Sequence, residues 1–459
     1  MMQYQTLYSS QRVGSGKTES GARSGFQRDY DRIIFSSAFR RLQNKTQVFP
    51  LPGTAFVHNR LTHSLEVASV GRSLGKMVGE QIATGFKGHD EHSYEFYKYE
   101  LANVIGAACL AHDIGNPAFG HSGEKAIAHF FLTHAHQPFN GISLQQHFTA
   151  QQWQDLVQFE GNAAALRILT HSFRGRFTGG FGLTYTTIAA LLKYPCASTA
   201  VDKTWVHRKK WGFFESETAV MHTLAHTLGM PLQQAQPVVY GRHPFVYLTE
   251  AADDICYSVI DVEDAHRLGI LQTPETKTLL LDALRRVSDA LFTDKTIGYL
   301  KALDDANEGI AFLRARLINA LTTCCVDLFL QNKNALLNAS YNNSLVDAIN
   351  ADTGVLKDIA ALSREKIYGH DTVLQIELAG FNVMSELLGL FVPALLHTHP
   401  DAREKKLLRL FPYQFTAFEE TEDAYIKVLC ALDFISGMTD EYATELYRRL
   451  KGISVPHHA

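Results

Sequence analysis

Apolar residues recur with helical spacing along most of this chain, and this periodicity restricts the protein to an all-α fold. Residues 29–43 and 60–82 place apolar side chains three or four positions apart, which puts them on one face of a helix. The same period recurs at 184–192, 216–228, 245–266, 274–292, 297 to about 337, 355–396, 404–410, 423–435 and 440–450. Glycines within 175–182 favour a small β-hairpin, the only one that we expect.

The chain has 459 residues, enough for one large domain or for several ordinary ones. Residues 1–27 are polar and rich in glycine, and we predict a flexible N-terminal segment there. The sequence around Gly16 is not a phosphate-binding loop, because Gln11 holds the position of the required first glycine. We assign a core to residues 28–270 and a C-terminal helical subregion, packed on that core, to residues 271–459.

The charge balance, 43 basic against 47 acidic residues, argues against a surface that coats nucleic acid broadly. The six cysteines lack the spacing of a metal site, and their apolar contexts fit core positions in a reducing compartment. The N-terminus has no basic region followed by an apolar one, and we find no run of about 18 apolar residues. We therefore expect a soluble cytoplasmic protein without a membrane partner.

The densest group of chemically active side chains lies between His112 and Glu124. The apolar run 104–111 predicts a buried helix that presents His112 and Asp113, both suited to a divalent metal, at its C-terminal end. Glycines and a proline then interrupt the helix. His121 and Glu124 stand one helical turn apart at the next helix start, so the carboxylate can orient or charge the imidazole.

A second group lies on the helix predicted over 245–266. Asp253, Tyr257 and Asp261 are spaced i, i+4 and i+8, which places them in one stripe along the helix. Asp254 points about 100° away and is a weaker candidate for the same task. On spacing alone, a solvated acidic face with a half-buried tyrosine explains this stripe equally well.

Four side chains from three predicted helices form a candidate metal site in combination. His63 falls in the first turn of its helix and joins His112, Asp113 and Asp253 to give two imidazoles and two carboxylates. This mixed set suits Mn²⁺, Fe²⁺, Ni²⁺, Co²⁺ or Mg²⁺ and leaves positions for water or phosphate oxygens. Such an ion can activate water or polarise a phosphoryl oxygen.

Two other patterns have simpler explanations. His222 and His226 have ligand spacing but lack the intervening general-base glutamate of a metalloprotease, which favours surface or core positions. The basic run 207–210 could contact phosphates of single-stranded DNA, but so short a run favours a solvated loop.

Seven stretches of this sequence closely resemble the HD-superfamily deoxynucleoside triphosphate triphosphohydrolases, in particular the bacterial dGTP triphosphohydrolase group. They run in the family's order along nearly the whole chain. The stretches are Arg28–Gln43, Asn59–Ser64, His112–Glu124, Phe159–Asn162, Leu183–Tyr185, Glu250–Asp261 and Ile435–Asp440. The resemblance implies an HD-domain helical fold with extra C-terminal helices, which would make residues 28–270 a metal-dependent phosphohydrolase core.

The resemblance also implies roles for individual residues. By this similarity, the metal ligands are His63, His112, Asp113 and Asp253, and the catalytic pair near the α-phosphorus is His121 with Glu124. The implied substrate-binding residues are Gln47 and Asp261 at the sugar 3′-hydroxyl, Tyr257 against the deoxyribose, Arg60 and Lys193 at the phosphates, and Asn162 at a further position.

The implied reaction is metal-dependent hydrolysis of a dNTP, foremost dGTP, to deoxynucleoside and inorganic tripolyphosphate. Two alternatives stay open at this point. One is another HD phosphohydrolase, such as a nucleotidase or a phosphodiesterase, and the other is a nucleotide-responsive protein that binds single-stranded DNA. The family also implies a homo-oligomer, dimer-based and in some members hexameric.

Overall fold

A computed structural model describes residues 1–15, 22–49, 57–288, 291 and 293–454. Within these residues the chain is built almost entirely of helices, as the apolar periodicity predicts. The helices are α1 Gly25–Ile34, α2 Ser37–Arg41, α3 Arg60–Thr84, α4 Glu91–Glu95, α5 Leu101–Ala111, α6 Gly120–His134, α7 Ala150–Val157, α8 Gly161–Thr170, α9 Tyr185–Leu191, α10 Thr218–Thr227, α11 Val246–Arg267, α12 Thr273–Val287, α13 Asp294–Lys301, α14 Ala306–Gln331, α15 Lys333–Leu337, α16 Leu345–Thr353, α17 Val355–Leu362, α18 Asp371–Leu396, α19 Ala402–Leu408, α20 Ala424–Ser436 and α21 Asp440–Leu450.

Two small antiparallel ladders complete the secondary structure. Strand β1 (Pro138–Phe139) pairs with β2 (Ile142–Ser143), and β3 (Leu232–Gln234) pairs with β4 (Val239–Tyr240). The hairpin expected at 175–182 is wrong, because this stretch forms successive turns instead of strands. Four of its glycines adopt positive φ. Beside these turns, the backbone amide of Val13 donates to the carbonyl oxygen of Leu183 over 3.0 Å.

Serine and aspartate caps divide two of the predicted helices. The segment 29–43 breaks after α1, where the Ser36 hydroxyl accepts the amide hydrogen of Phe39 and starts α2. The run 297–337 breaks in the same way, because Asp305 caps α14 by accepting from Asn307. These polar side chains offer the backbone an alternative partner, a local effect that apolar periodicity does not register.

The buried apolar side chains form two clusters. In the first, α3 packs against α5 and α11, and α14 packs against α11 and α12. In the second, α18 packs against α6 and α20. The metal-site candidates stand on elements of the first cluster and His121 on α6 of the second, so the candidate site lies where the two meet. The division into 28–270 and 271–459 stays a prediction.

Parts of the N-terminal segment 1–27 are described and contact the rest of the protein. Leu7 is fully buried, and the Arg12 guanidinium donates to Asp29 over 2.7 Å. Residues 16–21 of this segment lie outside the described residues, and so do the terminal residues His457 and His458.

Helices α14 and α18 are long and apolar enough to meet the length and hydropathy of a membrane span. Each buries half of its apolar window against neighbouring helices. Core helices of water-soluble proteins have this same character.

Candidate active site

Three helices bring the metal-ligand candidates together. Asn59 caps α3 by accepting the Thr62 amide hydrogen, which places His63 in the first turn. The almost wholly buried helix α5 ends at Ala111, so that His112 follows directly from the core. Asp253 projects from α11, which packs against both of these helices.

The ligand atoms of His63, His112 and Asp253 all lie within 4.8 Å of one another. Asp253 Oδ1 lies 3.3 Å from His63 Nε2 and 3.4 Å from His112 Nε2. Asp113 stands beside this trio, with Oδ1 3.6 Å from His112 Nε2. The sequence-predicted set is thus gathered at one point, although Asp113 lies outside the tight trio.

Buried cations balance the two carboxylates. Lys193 Nζ donates to Asp253 Oδ2 over 2.6 Å, and Arg60 donates to Asp113 Oδ2 over 2.7 Å. Burial disfavours the ionised form of Asp253, but Lys193 and His112 outweigh this effect and hold its pKa well below the ordinary value. Burial opposes ionisation of Asp113 too, and Arg60 with His112 lowers the pKa of that carboxyl.

His112 provides the observation that favours a bound ion. Its Nδ1 lies 2.7 Å from the carbonyl oxygen of Cys109, which fixes the ring and makes Nδ1 the protonated nitrogen. Its Nε2 is buried and makes no hydrogen bond within the described residues. This buried imidazole nitrogen lies 3.4 Å from Asp253 Oδ1 and next to a second imidazole, an arrangement that fits a divalent metal.

The turn between α5 and α6 is sterically restricted. Phe119 and Gly120 both adopt left-handed backbone conformations, with φ of 61° and 54°. A Cβ on Gly120 would lie 2.6 Å from the Arg60 guanidinium, and one on Gly115 would lie 2.1 Å from the backbone nitrogen of Ala165. The turn therefore needs glycine at both positions, and it returns the chain toward the metal-site candidates.

His121 and Glu124 form the predicted pair at the start of α6. His121 Nδ1 lies 2.8 Å from Glu124 Oε2, and Glu124 Oε1 accepts the Gly161 amide hydrogen over 2.8 Å. Burial acts to raise the pKa of Glu124, but the hydrogen bond and charge of His121 prevail and lower it. The ionised carboxylate accepts from Nδ1–H, so His121 Nε2 is the nitrogen left for proton transfer.

One cavity of about 470 Å³ joins the metal-site candidates to the His121–Glu124 pair. It is lined by every sequence-predicted site residue except Asp261, namely Gln47, Arg60, His63, His112, Asp113, His121, Glu124, Asn162, Lys193, Asp253 and Tyr257. A volume of this size suits a small-molecule ligand.

Asp261 lies beneath the wall of the cavity. It is 5% exposed and accepts a hydrogen bond of 2.9 Å from the Tyr368 hydroxyl. The Tyr368 ring stacks against Tyr257 with centroids 6.2 Å apart. Burial raises the pKa of Asp261 to about 7. The i, i+4, i+8 stripe is real, but its last member is covered by a residue 107 positions away.

Several residues that line this cavity were not among the predicted site residues, including Glu160, Tyr194, Lys210, Asp254 and Tyr368. The basic run 207–210 was expected to be a solvated loop, yet Lys210 Nζ contacts Glu160 Oε1 at 3.0 Å. Asp254 lines the cavity despite its angular offset from Asp253 on α11. The available signal for Glu160 and Asp254 was their position inside two of the recognised stretches, Phe159–Asn162 and Glu250–Asp261, whereas no local pattern marked Tyr368.

The helical fold and the cluster of His63, His112 and Asp253 beside Asp113 agree with the HD-domain class of proteins. The sequence profile of the HD domain matches residues 60–173. A deoxyguanosinetriphosphate triphosphohydrolase-like protein of Synechocystis is 38% identical over 99% of this chain and 100% of its own length. A protein of Pseudomonas aeruginosa with that same description is 37% identical, with the same coverage.

A deoxyguanosinetriphosphate triphosphohydrolase of Salmonella typhimurium is 30% identical over 95% of each chain. Identity at this level over nearly the full length shows common descent as well as a common domain. The chain therefore belongs to the deoxyguanosinetriphosphate triphosphohydrolase-like family of HD-domain hydrolases.

Proposed function

We propose that this protein hydrolyses deoxynucleoside triphosphates, dGTP foremost, to the deoxynucleoside and inorganic tripolyphosphate. The observation that carries the proposal is the single cavity lined by the metal-ligand trio and by His121. The names of the relatives support the same chemistry. A site that combines positive charge for the phosphates with a proton-transfer group is suited to cleavage at the α-phosphorus.

His63, His112 and Asp253 would hold the metal ion, with Asp113 as the proposed fourth ligand. When bound, a divalent ion would supply positive charge for the α-phosphate and lower the pKa of a coordinated water. Manganese and magnesium are the first ions to test, followed by nickel, cobalt and iron, because the mixed nitrogen and oxygen donors accept all five.

The cationic residues of the cavity are suited to the triphosphate. Arg60 and Lys193 are the proposed phosphate ligands, and Lys210 and Lys125 add positive charge to the same lining. His121 Nε2 would protonate the departing 5′-oxygen, and Glu124 would stabilise the imidazolium by accepting from Nδ1.

The contact with the sugar is proposed to distinguish deoxyribonucleotides from ribonucleotides. Tyr257 is 41% exposed, and its ring would pack against C2′ of a deoxyribose. Gln47 and Asn162, which line the cavity, are further proposed substrate ligands. The proposed role of Asp261 at the sugar is exerted from behind the wall, where it accepts from Tyr368. A Gln47 oxygen is buried without a hydrogen-bond partner within the described residues, which leaves it available to a 3′-hydroxyl donor.

Incubation with dGTP and either Mg²⁺ or Mn²⁺, followed by separation of the products, tests the proposal. We expect deoxyguanosine and tripolyphosphate, little turnover of GTP, and a higher GTP to dGTP ratio for Tyr257→Ala. Equal turnover of GTP and dGTP by the unaltered protein would favour another HD phosphohydrolase. Absence of turnover with every dNTP would contradict the proposal.

Assembly and DNA binding are proposed from the family resemblance, and location from the cysteine contexts and the N-terminal sequence. We expect a homo-oligomer, which light scattering of the purified protein tests, and a cytoplasmic location, which cell fractionation tests. Single-stranded DNA is the further partner to test. A salt-dependent shift of labelled single-stranded DNA that survives His121→Ala would separate such binding from catalysis.

A further inference from the structure

The sequence Ile435–Asp440 joins helices α20 and α21 and carries family resemblance, yet none of its residues has a role in the proposed reaction. Two of its groups bond to loops of the active site. The Asp440 carboxylate is 8% exposed and accepts the Thr46 amide hydrogen through Oδ2 over 2.8 Å. Its other oxygen, Oδ1, accepts the Phe119 amide hydrogen over 2.9 Å. One side chain thus bridges two loops that are distant in sequence.

Both loops carry residues of the cavity. Thr46 directly precedes Gln47, the proposed ligand of the sugar. Phe119 stands two residues before His121, at the point where the backbone turns into α6. Asp440 therefore fixes the backbone beside a substrate-binding residue and beside the proposed proton donor at once.

The Phe119 backbone needs such support. Its φ of 61° is a left-handed conformation that a bulky residue adopts only where its surroundings impose it. The Phe119 ring lies against Gly380 of α18, where an added Cβ would approach its Cγ to 2.3 Å. The Phe119 ring thus packs against Gly380, and the Phe119 amide is held by Asp440.

A second tie runs parallel to the first. Lys45 Nζ is buried and donates to the carbonyl oxygens of Asn116 over 2.6 Å and of Ser436 over 3.0 Å. This lysine precedes the Gln47 loop, and Asn116 lies in the turn that leads to His121. The segment Ser436–Asp440, which we name the C-terminal clasp, thus contacts both active-site loops through two separate sets of bonds.

We propose that Asp440 is a positioning residue of the active site, which sets the distance between the Gln47 loop and the His121 turn without touching the substrate. This inference rests on the proposed function. The proposal predicts different effects on two parts of the site. The trio His63, His112 and Asp253 stands on α3, on the end of α5 and on α11, whereas Asp440 contacts the Gln47 loop and the His121 turn. A change at Asp440 should therefore misplace His121 and leave metal affinity in place.

Asp440→Asn and Asp440→Ala form a graded test. Asparagine keeps the shape and one acceptor oxygen, whereas alanine removes both hydrogen bonds. We expect kcat with dGTP to fall on the order of tenfold for Asn and a hundredfold for Ala, because small displacements of catalytic groups have effects of this size. Metal affinity, measured by calorimetry with Mn²⁺ alone, should stay within about twofold of the unaltered protein, since an unchanged ligand set keeps its free energy of binding.

Asp423→Asn is the matched control, because Asp423 caps the end of α20 opposite to the C-terminal clasp. We expect it to keep normal kcat. Hydrogen exchange, read by mass spectrometry on peptides that contain Thr46 and Phe119, provides a measurement independent of substrate. Exchange at both peptides should accelerate in Asp440→Ala and not in Asp423→Asn.

The outcomes separate the two proposals. If the unaltered protein fails to hydrolyse any dNTP, the proposed function is wrong, and the exchange experiment still tests the clasp. If the unaltered protein is active and Asp440→Asn keeps full kcat with normal exchange at both peptides, the positioning role is wrong. A loss of metal affinity parallel to the loss of kcat would also overturn it, since the clasp would then act on the whole fold.

Discussion

Lys193 Nζ lies 2.6 Å from Oδ2 of Asp253, while Oδ1 of the same carboxylate faces His63 and His112. One oxygen is thus neutralised by a buried lysine and the other is directed at the two imidazoles. This division lets Asp253 stay ionised in a buried place and still offer an oxygen to a metal.

Lys193→Met tests whether Lys193 contacts one oxygen of Asp253 and leaves the other available to a metal. We expect kcat/KM for dGTP to fall about 10- to 100-fold, which corresponds to the loss of a charge-assisted hydrogen bond to phosphate. Metal affinity should not fall, because methionine removes a competing cation and leaves all ligand atoms present. Steady-state kinetics and calorimetry with Mn²⁺ measure the two quantities. A parallel fall of metal affinity would show that Lys193 holds the ligand set together.

His121→Ala and Glu124→Gln test the proton-transfer pair. We expect kcat to fall by about 10² to 10⁴ for His121→Ala, the range for loss of a general acid, and less for Glu124→Gln. The glutamine can still accept from the Gly161 amide, so the fold of this turn should persist. Rapid-quench measurement of a single turnover checks the chemical step. Normal single-turnover rates for His121→Ala would exclude its role as proton donor.

Gly120→Ala tests whether the turn positions Arg60. Alanine at φ of 54° is strained, and its Cβ would lie 2.6 Å from the Arg60 guanidinium. Gly141→Ala is a matched control, since Gly141 has φ of 89° and open space around the added carbon. We expect both variants to lose on the order of 1 kcal/mol of unfolding free energy because of the positive φ, with the greater loss and a loss of activity for Gly120→Ala only, because of its contact with Arg60. Urea denaturation and dGTP turnover measure these effects.

Asp261 gives the protein a dependence of stability on pH. Burial raises its pKa to about 7 in the folded state, whereas an exposed aspartate loses its proton near 3.8. The folded state therefore retains this proton between these values, and the stabilisation from Asp261, present below 3.8, is lost as pH rises to about 7.

We expect Asp261→Asn to remove this loss. Between pH 4 and pH 8, the free energy of unfolding of the variant should therefore rise by on the order of 3 kcal/mol relative to that of the unaltered protein. Urea midpoints of both proteins across that range provide the measurement. An identical pH dependence for the two proteins would show that Asp261 is ionised when folded.

Local patterns predicted most of the helices, although not the breaks at Ser36 and Asp305, and they indicated the metal-site candidates. His63 and Asp253 stand on long amphipathic helices, whose period fixes which side chains share a face, and His112 ends an apolar helix. Contacts between distant segments were not predictable. Tyr368 covers Asp261 from 107 residues away, and Asp440 reaches Thr46 across 394 residues, because packing between helices sets these distances.

Turn chemistry also limited the prediction. The glycines of 175–182 resemble those of a hairpin, but they serve a series of left-handed turns against the N-terminal segment. The Lys210 side chain belongs to a short basic run, and only the fold directs it into the cavity.

Hydrolysis of dGTP with Mg²⁺ in water enriched in ¹⁸O tests the central claim most directly. Attack of water on the α-phosphorus breaks its bond to the 5′-oxygen, so mass spectrometry should find one ¹⁸O in tripolyphosphate and none in deoxyguanosine. Formation of deoxyguanosine monophosphate with pyrophosphate, or of label in the deoxyguanosine, would contradict the account.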